Sequence, residues 1–122
     1  MDNFSIKAPP DRFNAPLVHK VCELYKLFHE CLKTFAKLER FTLGQEIEKT
    51  ILEILELILS AGYLPKYRKG ETIRRASDKN DLLKYLTRIA YDTKSINMKK
   101  YLLIEEKALE IGRMLGGWIK SN

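Results

Sequence analysis

The stretch at residues 42–62, TLGQEIEKTILEILELILSAG, limits the folds open to this chain more than any other. Leu43, Ile47, Ile51, Ile54, Ile58 and Ala61 recur at steps of three or four and make one stripe of a helix, with Glu46, Glu48, Lys49, Glu53 and Glu56 on the other side. Thr42 and Gln45 have the spacing of a capping box, which predicts a helix start at Thr42. Gly62 follows the last periodic residue, where a left-handed C-cap suits a residue without Cβ. A helix so apolar along one face must bury it against partners.

The chain supplies three more helices. Asn14 is placed to cap the first, with Pro16 in its first turn, where a missing amide matters little. Leu17, Val21, Leu24, Phe28, Cys31 and Phe35 then form a strict 4-3-4-3-4 seam, widened by Val18, Tyr25 and Leu32. This pattern predicts a helix over 16–38, with residues 39–41 as a short turn that makes the first two helices antiparallel neighbours. Past the break at Pro65 a third helix is expected over 68–94, with Leu82, Leu86 and Ile89 as one apolar row and Leu83 and Ala90 as another. Continued backwards, the first row meets Lys79, Arg75 and Arg68, so that half either overhangs the core or faces something acidic. Gly70 weakens its first turns, and Ser77 or Asp78 could cap a shorter helix. Asn97 caps the fourth helix, over 98–120, whose seam is Tyr101, Ile104, Ala108, Ile111, Leu115 and Trp118. The expected fold is all-α: an up-down-up-down antiparallel four-helix bundle over 16–122, preceded by an arm at 1–15 in which Pro9 and Pro10 oppose a helix.

Composition narrows the function. No apolar run approaches the ~20 residues of a membrane span, and the first residues lack the apolar core of a secretory signal, so a cytoplasmic protein is expected. Cys22 and Cys31 fall in one helix, about 13 Å apart along its axis, which is too far for a disulfide. His19 and His29 lack the Glu-x-x-His pattern of di-iron bundles, and no CxxC or HExxH spacing supports zinc. Gly112, Gly116 and Gly117 lie inside a helical pattern with no preceding strand, so they are not a phosphate loop. No catalytic constellation, metal site or cofactor is expected. The net charge is +6, and residues 63–100 alone hold eleven cations against four carboxylates. One basic face follows, for which an anionic partner is the natural complement.

Three segments are specific in combination: RFTLG at 40–44, LLKYLTRIAYDTK at 82–94 and IGRMLGGWIK at 111–120. Over residues 17–120 the chain resembles the accessory variability determinant (Avd) proteins of diversity-generating retroelements and their four-helix-bundle relatives. A group encoded in intervening sequences of ribosomal RNA genes shares the bundle but matches these motifs less well. The Gly-Arg-Met-Leu-Gly-Gly-Trp segment weighs most, because glycines inside a helix cost about 1 kcal/mol each and rarely recur by chance. The resemblance implies a non-enzymatic accessory protein that forms a ring-shaped homopentamer, binds reverse transcriptase together with RNA or DNA, and supports mutagenic copying of a template RNA into a variable gene. Lys84 and Arg88 match basic positions of the family's third helix, and Arg113 matches one in its fourth; the cluster from Lys66 to Lys79 matches loosely.

The candidate nucleic-acid and partner contacts are therefore Lys66, Arg68, Lys69, Arg74, Arg75, Lys79, Lys84 and Arg88. The plainer alternative for them is a solvated face, neutralised by Glu71, Asp78, Asp81 and Asp92, on a protein-interaction bundle with no nucleic-acid role. Tyr63, Tyr67, Tyr85 and Tyr91 interleave these charges; half-buried packing is the favoured reading and base stacking the other. Gly112 and Gly116 make a flat strip where another helix can approach, and with Arg113 and Trp118 they form the expected subunit interface.

Overall fold

A computed structural model describes residues 14–122; the expected arm lies almost wholly outside them. Four long helices, and no strand among the described residues, make up the chain: α1 (Ala15–Cys31), α2 (Gln45–Tyr63), α3 (Lys66–Asp92) and α4 (Met98–Ser121). Each packs against two neighbours, closing a cycle around one core. Cross-helix contacts run in opposite numerical order in three of the four neighbouring pairs. Lys69 meets Ala61 and Lys79 meets Glu53 between α3 and α2. Asn80 meets Ala108 and Tyr91 meets Tyr101 between α3 and α4. Lys20 meets Glu110 and Lys107 meets Glu23 between α1 and α4. These neighbours are antiparallel.

The α1 seam is buried from Leu17 to Cys31, and Asn14 Oδ1 accepts from the Leu17 amide at 3.2 Å. The helix ends seven residues before the expected Leu38. A single 3₁₀ turn, Leu32–Thr34, leads into extended Phe35 and Ala36 (ψ 141° and 148°), and the chain reverses there. Phe35 stays in the core, edge-on to Phe28 at 5.7 Å. The expected turn at 39–41 is instead helical: a turn at Lys37–Glu39 runs through a π-helical stretch, Arg40–Gly44, into α2. Thr42 is therefore not a cap. Its hydroxyl points back to the Leu38 and Glu39 carbonyls, at 3.2 and 3.4 Å, satisfying acceptors inside the helix. The π-helical stretch brings Gly44 against α1, where a Cβ would stand 2.7 Å from Leu32 Cδ2. Only a glycine fits that approach without displacement.

Gly62 also departs from expectation. No glycine takes a positive φ, and α2 continues through buried Gly62 to Tyr63. Pro65 sets the stop instead, since a residue before proline is pushed out of the helical region, and Leu64 is extended at ψ 151°. Between α3 and α4 the chain closes a Schellman motif: Ser95 N–H donates to Ala90 O at 2.8 Å and Lys94 N–H to Tyr91 O at 3.0 Å. Lys94 takes the left-handed position itself, with φ 67°. The Ser95 hydroxyl then donates to the Glu39 carboxylate, tying this turn to the start of the second hairpin arm. Asn97 caps α4 by accepting from the Lys100 amide at 2.8 Å.

The core row of α3 is Lys69, Ile73, Ala76, Asn80, Leu83, Thr87 and Ala90. The expected row of Leu82, Leu86 and Ile89 lies on a shoulder, with Leu82 39% and Ile89 46% exposed. Thr87 can sit inside because its hydroxyl donates to Leu83 O at 2.7 Å, and Asn80 because its Nδ2 donates to Ala108 O at 2.9 Å. Of the large aliphatic residues of α3, only Ile73 and Leu83 are fully buried.

Candidate nucleic-acid interface

α3 begins directly after Pro65, so all eight candidate cations lie on one helix of 27 residues, about 40 Å long. They do not share one environment. Lys84 pairs with Asp81 at 3.5 Å, Arg88 with Asp92 at 3.0 Å, and Lys79 crosses to Glu53 of α2 at 3.1 Å. Arg88 also lies 6.0 Å from the Tyr91 ring centre; its pKa is raised, chiefly by the Asp92 hydrogen bond and further by Tyr101 beside it. By contrast Lys66, Arg68, Arg74 and Arg75 are exposed and form no ion pair among the described residues.

Lys69 belongs with neither group. It is buried, 8% exposed, and its Nζ donates to the Ala61 carbonyl at 2.6 Å. That carbonyl is in the last turn of α2, where a cation complements the helix dipole. Lys69 therefore joins α3 to α2 and is not part of the outer surface.

Tyr63, Tyr67 and Tyr85 are 74%, 87% and 75% exposed, so the half-buried packing role favoured from the sequence does not hold for these three. It holds for Tyr91, which packs on the core and stacks on Tyr101 with ring centres 5.0 Å apart. The Glu105 carboxylate beside Tyr101 is the main reason its pKa is raised. Tyr85, Lys84, Arg88 and Tyr101 rim a cavity of about 410 Å³ between α3 and α4, with Ile104 and Ala108 among its apolar lining.

A family model described as bAvd-like matches residues 17–122. The chain belongs to the bAvd-like family. No curated protein and no solved structure matches it. The bAvd-like region contains all the candidate cations and the glycine-containing segment of α4. No helix among the described residues is long and apolar enough to cross a membrane.

Within α4 of this bAvd-like chain, the four expected interface residues diverge. Gly112 faces α3: a Cβ there would lie 3.3 Å from Asn80 Nδ2. Gly116 has open space beside it, with nothing within 4 Å of a Cβ. Arg113 is exposed, and Trp118 is partly buried against the core. The sequence placed Lys69 among the surface contacts, whereas it is buried, and gave no role to Asn80. Both lie on the Ile73–Leu83 core row at helical spacing, which was the signal for them; their polarity hid it.

Proposed function

We propose that this chain is a non-enzymatic accessory protein of a diversity-generating retroelement, and that it engages nucleic acid and the reverse transcriptase through the N-terminal end of α3. Membership of the bAvd-like family supports the accessory role. The observation that carries the contact surface is the set of four exposed cations, Lys66, Arg68, Arg74 and Arg75, that form no ion pair among the described residues. Two of them, Lys66 and Arg68, lie in the first turn of α3, where a cation opposes the macrodipole and no acidic residue offsets it. Such an arrangement is locally unfavourable and becomes favourable when an anion arrives. Phosphates are the matching anion, and contacts to them confer affinity with little base specificity.

Four phosphate contacts predict a slope of about −3 in log affinity against log salt. Binding of RNA and DNA across a salt series tests this, with Arg74→Glu/Arg75→Glu and Lys84→Glu/Arg88→Glu compared. The first variant should lose at least about tenfold in affinity and flatten the slope, while the second stays close to the parent. A parent protein indifferent to both nucleic acids would overturn the reading. It would then favour a scaffold with a protein partner, for which the exposed Leu102 and Leu109 of α4 are the specific support. Self-association through the outer side of α4, at Gly116 and Arg113, completes the proposal. Light-scattering mass tests it: five chains agree with the ring that the family resemblance implies, and a single chain rejects it.

A further inference from the structure

We infer that the free end of α3 takes single-stranded rather than duplex nucleic acid, with Tyr67 and Arg74 receiving an unpaired base across Gly70. The inference rests on the phosphate-binding reading above and adds to it the form of the nucleic acid.

Tyr67, Gly70 and Arg74 stand at i, i+3 and i+7, one strip of α3 about 10 Å long. Tyr67 is 87% exposed, the most exposed large hydrophobic side chain among the described residues. Its ring is outside the core that Tyr91 and Tyr101 pack against. Gly70 carries no side chain to fill the strip. Arg74 reaches back to it, with Nη1 3.4 Å from where a Gly70 Cβ would be. The strip therefore presents an aromatic ring and a guanidinium that lies over the Gly70 step, with the Asn122 amide, which donates to Lys66 O at 3.0 Å, closing its far side. The ring and the guanidinium are the two side-chain types on which unpaired bases stack. Arg68 and Arg75, seven residues apart on the adjoining row, stand ready for the flanking phosphates.

A duplex uses this surface poorly. Its base faces are already stacked, and reaching one requires extrusion at a cost of a few kcal/mol. A helix surface lined with Tyr67 and the arginines could then contact only the duplex backbone. A single strand offers phosphates and base faces together. Because every base has a π-face, the contact is tolerant of sequence, and both RNA and DNA single strands meet the chemistry.

The test uses the full chain with a twelve-nucleotide single-stranded RNA, the DNA strand of the same sequence, and the duplex of each. Parent, Tyr67→Ala, Tyr67→Phe and Tyr85→Ala are compared at one salt concentration, with thermal melts confirming that each variant folds. The expected result is single-strand binding at least tenfold tighter than duplex binding. Tyr67→Ala should weaken it by about five- to a hundred-fold and leave the duplex affinity unchanged, with Tyr67→Phe close to the parent. Tyr85→Ala should leave all affinities unchanged, since that tyrosine stands among paired charges. The RNA and DNA arms separate the two sources of single strand. Equal affinity for single strand and duplex, unmoved by Tyr67→Ala, overturns this inference while the phosphate reading survives. Absence of binding to all four probes overturns both.

Discussion

The two halves of α3 differ in what they do with charge. Residues 66–79 hold six cations and two carboxylates, whereas residues 80–92 hold two of each. In the second half each cation finds its carboxylate three or four residues away on the same helix. Such exposed pairs add little to stability, but they offset the field a distant anion would feel. In the first half Lys69 is turned inward, Lys79 is paired across to α2, and four cations have no ion pair among the described residues. Cation count and binding readiness are therefore separate quantities. Lys84 and Arg88, for which the family resemblance carried the stronger expectation, are locally neutralised, and the end for which it carried the weaker one holds the cations without an ion pair among the described residues.

The two halves of α3 share one core row. A basic half that overhung the bundle would have no tertiary packing to lose. In the structure Ile73 of the first half and Leu83 of the second are both fully buried in one continuous row. Ile73→Ala and Leu83→Ala should each lower unfolding free energy by about 2–5 kcal/mol in urea titrations. A near-neutral Ile73→Ala would mean that the first half is an overhang, and the surface built on it would lose its rigid support.

This core row also shows where sequence patterning succeeds and where it stops. The seams of α1 and α4 were legible because every buried position from Leu17 to Cys31 and from Ile104 to Leu115 is apolar. On α3 the buried row includes Lys69, Asn80 and Thr87, each satisfied by a carbonyl that only the folded chain supplies. Hydropathy therefore favoured Leu82, Leu86 and Ile89, which lie on the shoulder. The cap at Thr42 failed for a related reason: its hydroxyl has two competing sets of backbone partners, and spacing does not say which it takes. At the candidate surface the cations and tyrosines were readable as types. Their pairing was not, because ion pairs such as Lys79 with Glu53 join distant parts of the chain.

A smaller effect separates two adjacent cations of the first half. Lys69→Met removes the bond to Ala61 O and should cost about 1.5–3 kcal/mol of stability with little change in nucleic-acid affinity. Arg68→Met should do the reverse, leaving the melting curve in place and reducing the salt slope by about 0.7–0.9. If both substitutions moved both readouts alike, the division into a structural and a free cation would be wrong.

The smallest effect lies where the two halves meet, at Asn80. Its Nδ2 is held by Ala108 O, while its Oδ1 is buried without a partner among the described residues. Gly112 of α4 faces this amide, and an alanine Cβ there would come within 3.3 Å of Nδ2. Gly117 of the same helix has open space around it. Alanine is favoured over glycine inside a helix by about 1 kcal/mol, so Gly117→Ala should raise stability by that amount. Gly112→Ala gains the same helical preference but has to displace an amide already committed to a carbonyl, so its net gain should be smaller or reversed. Chemical denaturation of the two variants measures the difference directly. Equal stabilisation would show that Asn80 is free to move and that the junction between the halves is looser than its hydrogen bond implies.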